Sequence, residues 1–210
     1  MTKFYLLGGE NIRRQDAITV NEAAFADAGK KPSVLVFSWA RASFDRNYLR
    51  QKRLQDYFRG LGAAEINIAD YSEGIEDIEQ KLSEANLVYL TGGQPSVLIE
   101  RLSRSGVDKL LKNYKGTVVG RSAGALVLCN RCVVTLRDSK RMRLINGFGL
   151  VSLTLKAHYK KVNDEALLRF SLQERIYAVP KGSAIVANEN SLSFLGKIYL
   201  FENGEKKRLN

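Results

Sequence analysis

Thr117-Val118-Val119-Gly120-Arg121-Ser122-Ala123-Gly124-Ala125-Leu126 decides how this chain reads. It opens on a short β-branched apolar run, the pattern of a buried strand. It closes on Ala125-Leu126-Val127-Leu128-Cys129, which suits the start of a packed helix. Between them lies Gly-Arg-Ser-Ala-Gly, a G-x-S-x-G sequence where strand should turn into helix. Such a turn is sharp, and glycines flank it because side chains would collide where backbone crosses backbone. It lifts the Ser122 hydroxyl to the carboxyl end of the sheet and leaves the Ala123 N–H to face an anion. The competing reading makes Gly120 and Gly124 a plain tight turn and Ser122 a helix cap.

Moving outward, the residues before this stretch alternate strand and helix. Residues 3–7 read as a first strand ending in Gly8-Gly9, and 20–28 as a helix. A second strand is expected over 33–37, then a polar loop over 38–46 and an amphipathic helix over 48–61. A third strand follows at 64–68, a helix at 75–84, and a fourth strand at 86–90, stopping at Thr91-Gly92-Gly93-Gln94-Pro95. Pro95 fits the first turn of the next helix, which runs to about 103. A short helix over 107–113 leads into the strand at 117. The pattern predicts an α/β fold, a doubly wound and mostly parallel sheet with helices on both faces. In such sheets the site lies beyond the carboxyl ends of the strands, where Gly8-Gly9, Gly92-Gly93 and Ser122 would gather.

The last third changes character. Strands at 132–136 and 150–155 flank a basic loop over 137–146, and a helix is expected over 162–172. Short strands follow at 176–179, 183–187, 191–195 and 198–201, with turn chemistry at 188–190 and 202–204. This reads as an antiparallel extension of the same domain.

The 210 residues, 45% of them hydrophobic, with only 3 prolines, suit one domain over 1–210. No apolar run reaches the length of a membrane span, and the first ten residues lack a secretory pattern, so a cytoplasmic protein is expected. Cys129 and Cys132 form a C-x-x-C late in the helix after the serine, not at a helix start as a redox pair would need. With His158 they supply only three metal ligands, and packed free thiols are the simpler reading. The net charge is +11, with basic residues scattered along the chain. A nucleic-acid binder would concentrate them on one element or module, so that function is disfavoured, whereas attraction of an acidic substrate is in keeping.

A serine hydroxyl needs a neighbouring base to take its proton. The one histidine, His158, stands in a loop position in Lys156-Ala157-His158-Tyr159. Gly92 and Gly93 end the strand expected beside the serine's, so one of their N–H groups, with that of Ala123, would serve an oxyanion.

Together these residues resemble peptidase family S51, which includes aspartyl dipeptidase and cyanophycinase. The marks are Gly120-x-Ser122-Ala123-Gly124-Ala125, the earlier Gly92-Gly93-Gln94 and the later His158-Tyr159. The resemblance implies a fold like that of class I glutamine amidotransferases. It implies Ser122 as nucleophile, His158 as general base, and Gly93 or Gly92 with Ala123 as oxyanion hole, with no cofactor or metal. A small peptide is the implied substrate, met by Gln94, Lys160 and Asn163, and a homodimer is left open. Two positions depart from the family. Lys181, in Pro180-Lys181-Gly182, stands where a glutamate orients the histidine, so Glu189, Asp138 or Glu165 would have to replace it. Asn163 stands where Asp-specific members carry an arginine. A binding protein without turnover and an esterase of the α/β-hydrolase type are the rival readings; the latter usually places its oxyanion glycines much earlier.

Overall fold

The computed structural model describes residues 1–41, 43, 48–136 and 141–210. Strands β1 (Lys3–Leu7), β2 (Ser33–Phe37), β3 (Glu65–Ala69), β4 (Leu87–Leu90) and β5 (Thr117–Arg121) are parallel, in the order β1-β5-β4-β2-β3. Helices α1 (Ile18–Ala28), α2 (Tyr48–Gly60), α3 (Ile75–Glu84), α4 (Pro95–Arg104) and α5 (Val107–Asn113) connect them, and α6 (Ala123–Leu128) follows β5.

Period-two alternation sends the strand residues to two separate cores. Leu35, Phe37, Val88, Leu90 and Val118 pack on one face with Ile78, Leu82, Leu98 and Leu102 of α3 and α4. Val34, Val36, Leu87, Tyr89 and Val119 pack on the other with Val20 and Phe25 of α1 and Leu54 and Phe58 of α2. A strand covered on both sides needs apolar residues at every position, which explains the unbroken runs in the sequence.

The C-terminal extension is divided between two sheets. Strands β10 (Ala184–Ala187) and β11 (Leu192–Leu195) add to the first sheet, antiparallel, along the free edge of β1. The others form a second sheet of order β13-β12-β9-β8-β6-β7. Its middle strands, β6 (Cys129–Thr135), β8 (Val151–Ala157) and β9 (Ile176–Val179), are parallel, and β12 (Tyr199–Glu202) pairs antiparallel with β9. The two edge strands lay outside the sequence expectation. β7 (Met142–Asn146) falls within the stretch read as a basic loop, and β13 (Glu205–Arg208) is exposed at every residue. Edge strands often carry charge where core strands carry apolar side chains, and β13 shows no apolar pattern, while β7 packs Met142, Leu144 and Ile145 against the cores.

The helix expected over 162–172 is shorter, a 3-10 turn (Lys161–Asn163) running into α7 (Asp164–Phe170). The Asn163 carboxamide accepts the Lys160 N–H at 2.9 Å and tightens that turn. Among the described residues, no helix is long and apolar enough to cross a membrane.

Candidate active site

The site is assembled on the last residues of β1. The Ser122 N–H donates to the Leu7 carbonyl at 2.9 Å, and the His158 N–H donates to the next carbonyl, Gly8, at 2.8 Å. One strand end thus places both side chains, although β5 belongs to the first sheet and β8 to the second. The result is a contact of 2.6 Å between Ser122 Oγ and His158 Nε2.

Local geometry holds the serine up. Ser122 has φ 55° and ψ −107°, a conformation non-glycine residues rarely adopt. Such a state costs on the order of 1–3 kcal/mol and persists only where its surroundings enforce it. Here they do. A Cβ on Gly120 would lie 2.6 Å from the Ala125 nitrogen, and one on Gly124 would lie 2.2 Å from the Leu90 carbonyl oxygen. Only glycine lets β5, α6 and β4 approach so closely. His158 also has positive φ, 53°, and its ring lies over Gly9. A Cβ on Gly9 would be 2.2 Å from the ring's Cε1 and 2.4 Å from Nδ1.

The imidazole is surrounded by cations. Loss of water around the ring comes first, followed by the charges of Lys181, Lys156, Arg121 and Lys160, and together they lower the His158 pKa from 6.5 to about 4. Each of these favours the neutral ring, the form that can accept a proton from Ser122. Lys156 is itself buried; desolvation lowers its pKa from 10.5 to about 8, and its ammonium donates to the Ala157 carbonyl at 2.9 Å.

The remaining residues named from the sequence fall as follows. Ala123 opens α6 directly after the serine. Gly92 lies against the elbow, a Cβ there standing 3.2 Å from Ser122 Cβ, while Gly93 packs on the Ala40 backbone. Gln94 is exposed and precedes Pro95. Lys160 is exposed within electrostatic reach of the ring. Asn163 spends its side chain on the turn beside it. Glu189 is not brought to the imidazole. It sits in the β10–β11 turn with Thr2 and Phe4, at the strand end opposite Ser122. Glu165 is exposed and paired with Arg169. Asp138 lies outside the described residues. Lys181, expected where the family has glutamate, adds positive charge at the ring.

Glu10 was not singled out from the sequence. Its side chain is completely buried next to Gly9. One oxygen accepts Tyr57 Oη at 2.6 Å and Asn21 Nδ2 at 2.9 Å; the other accepts Tyr89 Oη at 3.0 Å and stands 3.9 Å from an Arg121 nitrogen. Burial, and then the Glu10 charge, push both phenols well above their usual pKa, so they remain donors. Arg121, beside the serine, is thereby held between Glu10 and the Tyr89 ring. The only hint in the sequence was an acid directly after a glycine pair at a strand's carboxyl end. Among the described residues, no three His, Cys, Asp or Glu side chains gather as a metal site requires.

The chain is similar to known proteins in sequence and in fold. An uncharacterized peptidase of Listeria monocytogenes, Lmo0363, is 29% identical over 139 residues, covering 60% of this chain and 67% of its own. Its counterpart from Listeria innocua, Lin0382, is 25% identical over 146 residues, covering 63% and 69%. The crystal structure of a peptidase from an acI-B1 actinobacterium superposes with a TM-score of 0.77 at 19% identity, over 100% of this chain and 94% of the other. A putative peptidase E protein of Listeria monocytogenes gives 0.72 at 19% identity, over 93% and 98%. These two likenesses establish the α/β fold. The pattern of peptidase family S51 matches residues 6–195, nearly the whole chain, and the chain belongs to that family.

Proposed function

We propose that this chain is a serine-type peptidase that hydrolyses small peptides, with a preference for an acidic group. The observation that carries this reading is the 2.6 Å contact between Ser122 Oγ and His158 Nε2 at a strained strand-to-helix turn. The neutral imidazole accepts the hydroxyl proton as Oγ attacks the scissile carbonyl carbon. The Ala123 N–H, with that of Gly92 or Gly93, receives the negative charge that develops on oxygen. The imidazolium then gives its proton to the departing amine. Water, deprotonated by the same ring, releases the acyl group from Ser122.

Lys181 favours a second reading, a family member that binds peptides without turning them over. An imidazolium forming among Lys181, Lys156, Arg121 and Lys160 is disfavoured, and among the described residues no carboxylate contributes to the shift of the ring's pKa. Reaction with a serine-directed fluorophosphonate, mapped by mass spectrometry, separates the two. The expected adduct is on Ser122 and is absent from Ser122→Ala. An adduct on another serine refutes the nucleophile, and an unreactive wild type that still binds peptide supports the second reading.

A further inference from the structure

Cavities border the first sheet at both ends of its strands. Two of about 560 and 460 Å³ lie at the strand starts, around Thr2 and Lys3, away from Ser122. The third, about 300 Å³, opens at the carboxyl ends, bordered by Gly92 and Arg121, which lie together beside the elbow. Its lining is unusual in charge. Arg13, Arg53, Arg121 and Lys181 line it, with Arg41 and Arg50, which have other interactions of their own; the one acidic residue of the lining among the described residues, Glu10, keeps its carboxylate buried. Glu10 is already engaged by two phenols, Asn21 and Arg121. Among the described residues, no carboxylate lies in ion-pair range of Arg13, Arg53 or Lys181.

Like charges converging on one concave surface repel, and low-dielectric walls strengthen that repulsion. A ligand that brings several negative charges relieves it, and guanidinium forks are suited to pairing with carboxylate or phosphate oxygens. Arg121 and Lys181 border the cleft and also act on the His158 ring. Anions in the cleft would therefore offset the charges that oppose imidazolium formation.

We propose that this cleft is a subsite for a multiply negative segment of the ligand, two adjacent carboxylates or one phosphate ester, beyond the single acidic group of the reading above. The inference rests on that reading only for the position of Ser122 beside the cleft. Its test is independent of turnover. Three pentapeptides with a dye at the carboxyl end and identical flanks, carrying Asp-Asp, phosphoserine-Ala or Asn-Ser, are titrated against Ser122→Ala by fluorescence anisotropy at low salt. The expected result is at least tenfold tighter binding of an anionic peptide than of the neutral one. This preference should collapse in Arg53→Glu and Arg13→Glu, both at exposed positions, and persist in Lys30→Glu/Lys31→Glu, which makes the same kind of charge change at the far end of the sheet. Tight binding of phosphoserine alone assigns the subsite to phosphate esters; equal binding of both anionic peptides shows that paired carboxylates suffice. Equal affinity for all three peptides, or a preference untouched at Arg53 and Arg13, overturns the proposal. A wild type that shows this preference but does not react at Ser122 refutes the peptidase reading and leaves the subsite standing.

Discussion

Gly9→Ala tests whether the bed beneath the imidazole sets the rate. The added methyl would begin 2.2 Å from His158 Cε1, whereas ordinary contact starts at 3.4 Å. The ring must therefore withdraw by more than 1 Å, or the chain at residue 9 must move by a similar distance. The Gly9 backbone resists, because its carbonyl accepts the Gly182 N–H at 3.0 Å and its neighbour Glu10 is locked by four partners. Movement therefore falls on the ring, and the 2.6 Å contact with Ser122 is lost. A displacement of about 1 Å at a reacting group costs roughly 10²-fold in rate. The variant also holds a non-glycine residue at φ +145°, which costs on the order of 1–3 kcal/mol of stability. The assay is the rate constant for fluorophosphonate labelling of Ser122, with a thermal melt to confirm folding. A folded Gly9→Ala that labels at the wild-type rate refutes the argument.

Three further predictions concern His158 and the cations around its ring. If His158 is the base, the acidic limb of kcat/KM lies below 6.5, towards about 4, and coincides with the NMR titration of the chain's one imidazole. Lys181→Glu replaces a cation that lowers this pKa with an anion that raises it, so both the titration and the limb should move to higher pH; a limb that stays put removes Lys181 from the ring's surroundings. Lys156→Met removes a buried ammonium whose pKa falls from 10.5 to about 8, a cost of about 3 kcal/mol at neutral pH. The folded lysine binds its proton less tightly than the unfolded one, so the contribution of Lys156 to stability rises with pH between about 8 and 10.5 and is flat below. Denaturant titration at pH 7 should find the variant more stable, and an equal or lower midpoint would show that the ammonium's bond to Ala157 outweighs its burial.

The sequence by itself determined the parallel sheet and the serine's setting. Strands buried on both faces must be apolar throughout, and a G-x-S-x-G elbow imposes its need for glycine on residues adjacent in sequence. Both signals are local, so the runs at 33–37 and 117–121 and the elbow at Ser122 were legible. The separation of β10–β11 from the second sheet was not. It depends on which unpaired edge a strand meets, a choice made between segments distant in sequence. The edge strand β13 lacks apolar patterning and was invisible for that reason, whereas β7, Met-Arg-Leu-Ile-Asn, was hidden by the basic residues that precede it. The contact between Ser122 and His158 was legible as two residue types, but only tertiary structure brought them within 2.6 Å, by hanging each on a carbonyl at the end of β1. The same holds for Gly9, Glu10 and Lys156, whose importance is one of close approach and burial. The charge around the ring was likewise decided in three dimensions. Lys156 and Lys160 flank the histidine in sequence, but Arg121 and Lys181 come from two other stretches, and Coulomb's law acts on the distance between groups rather than on their separation along the chain.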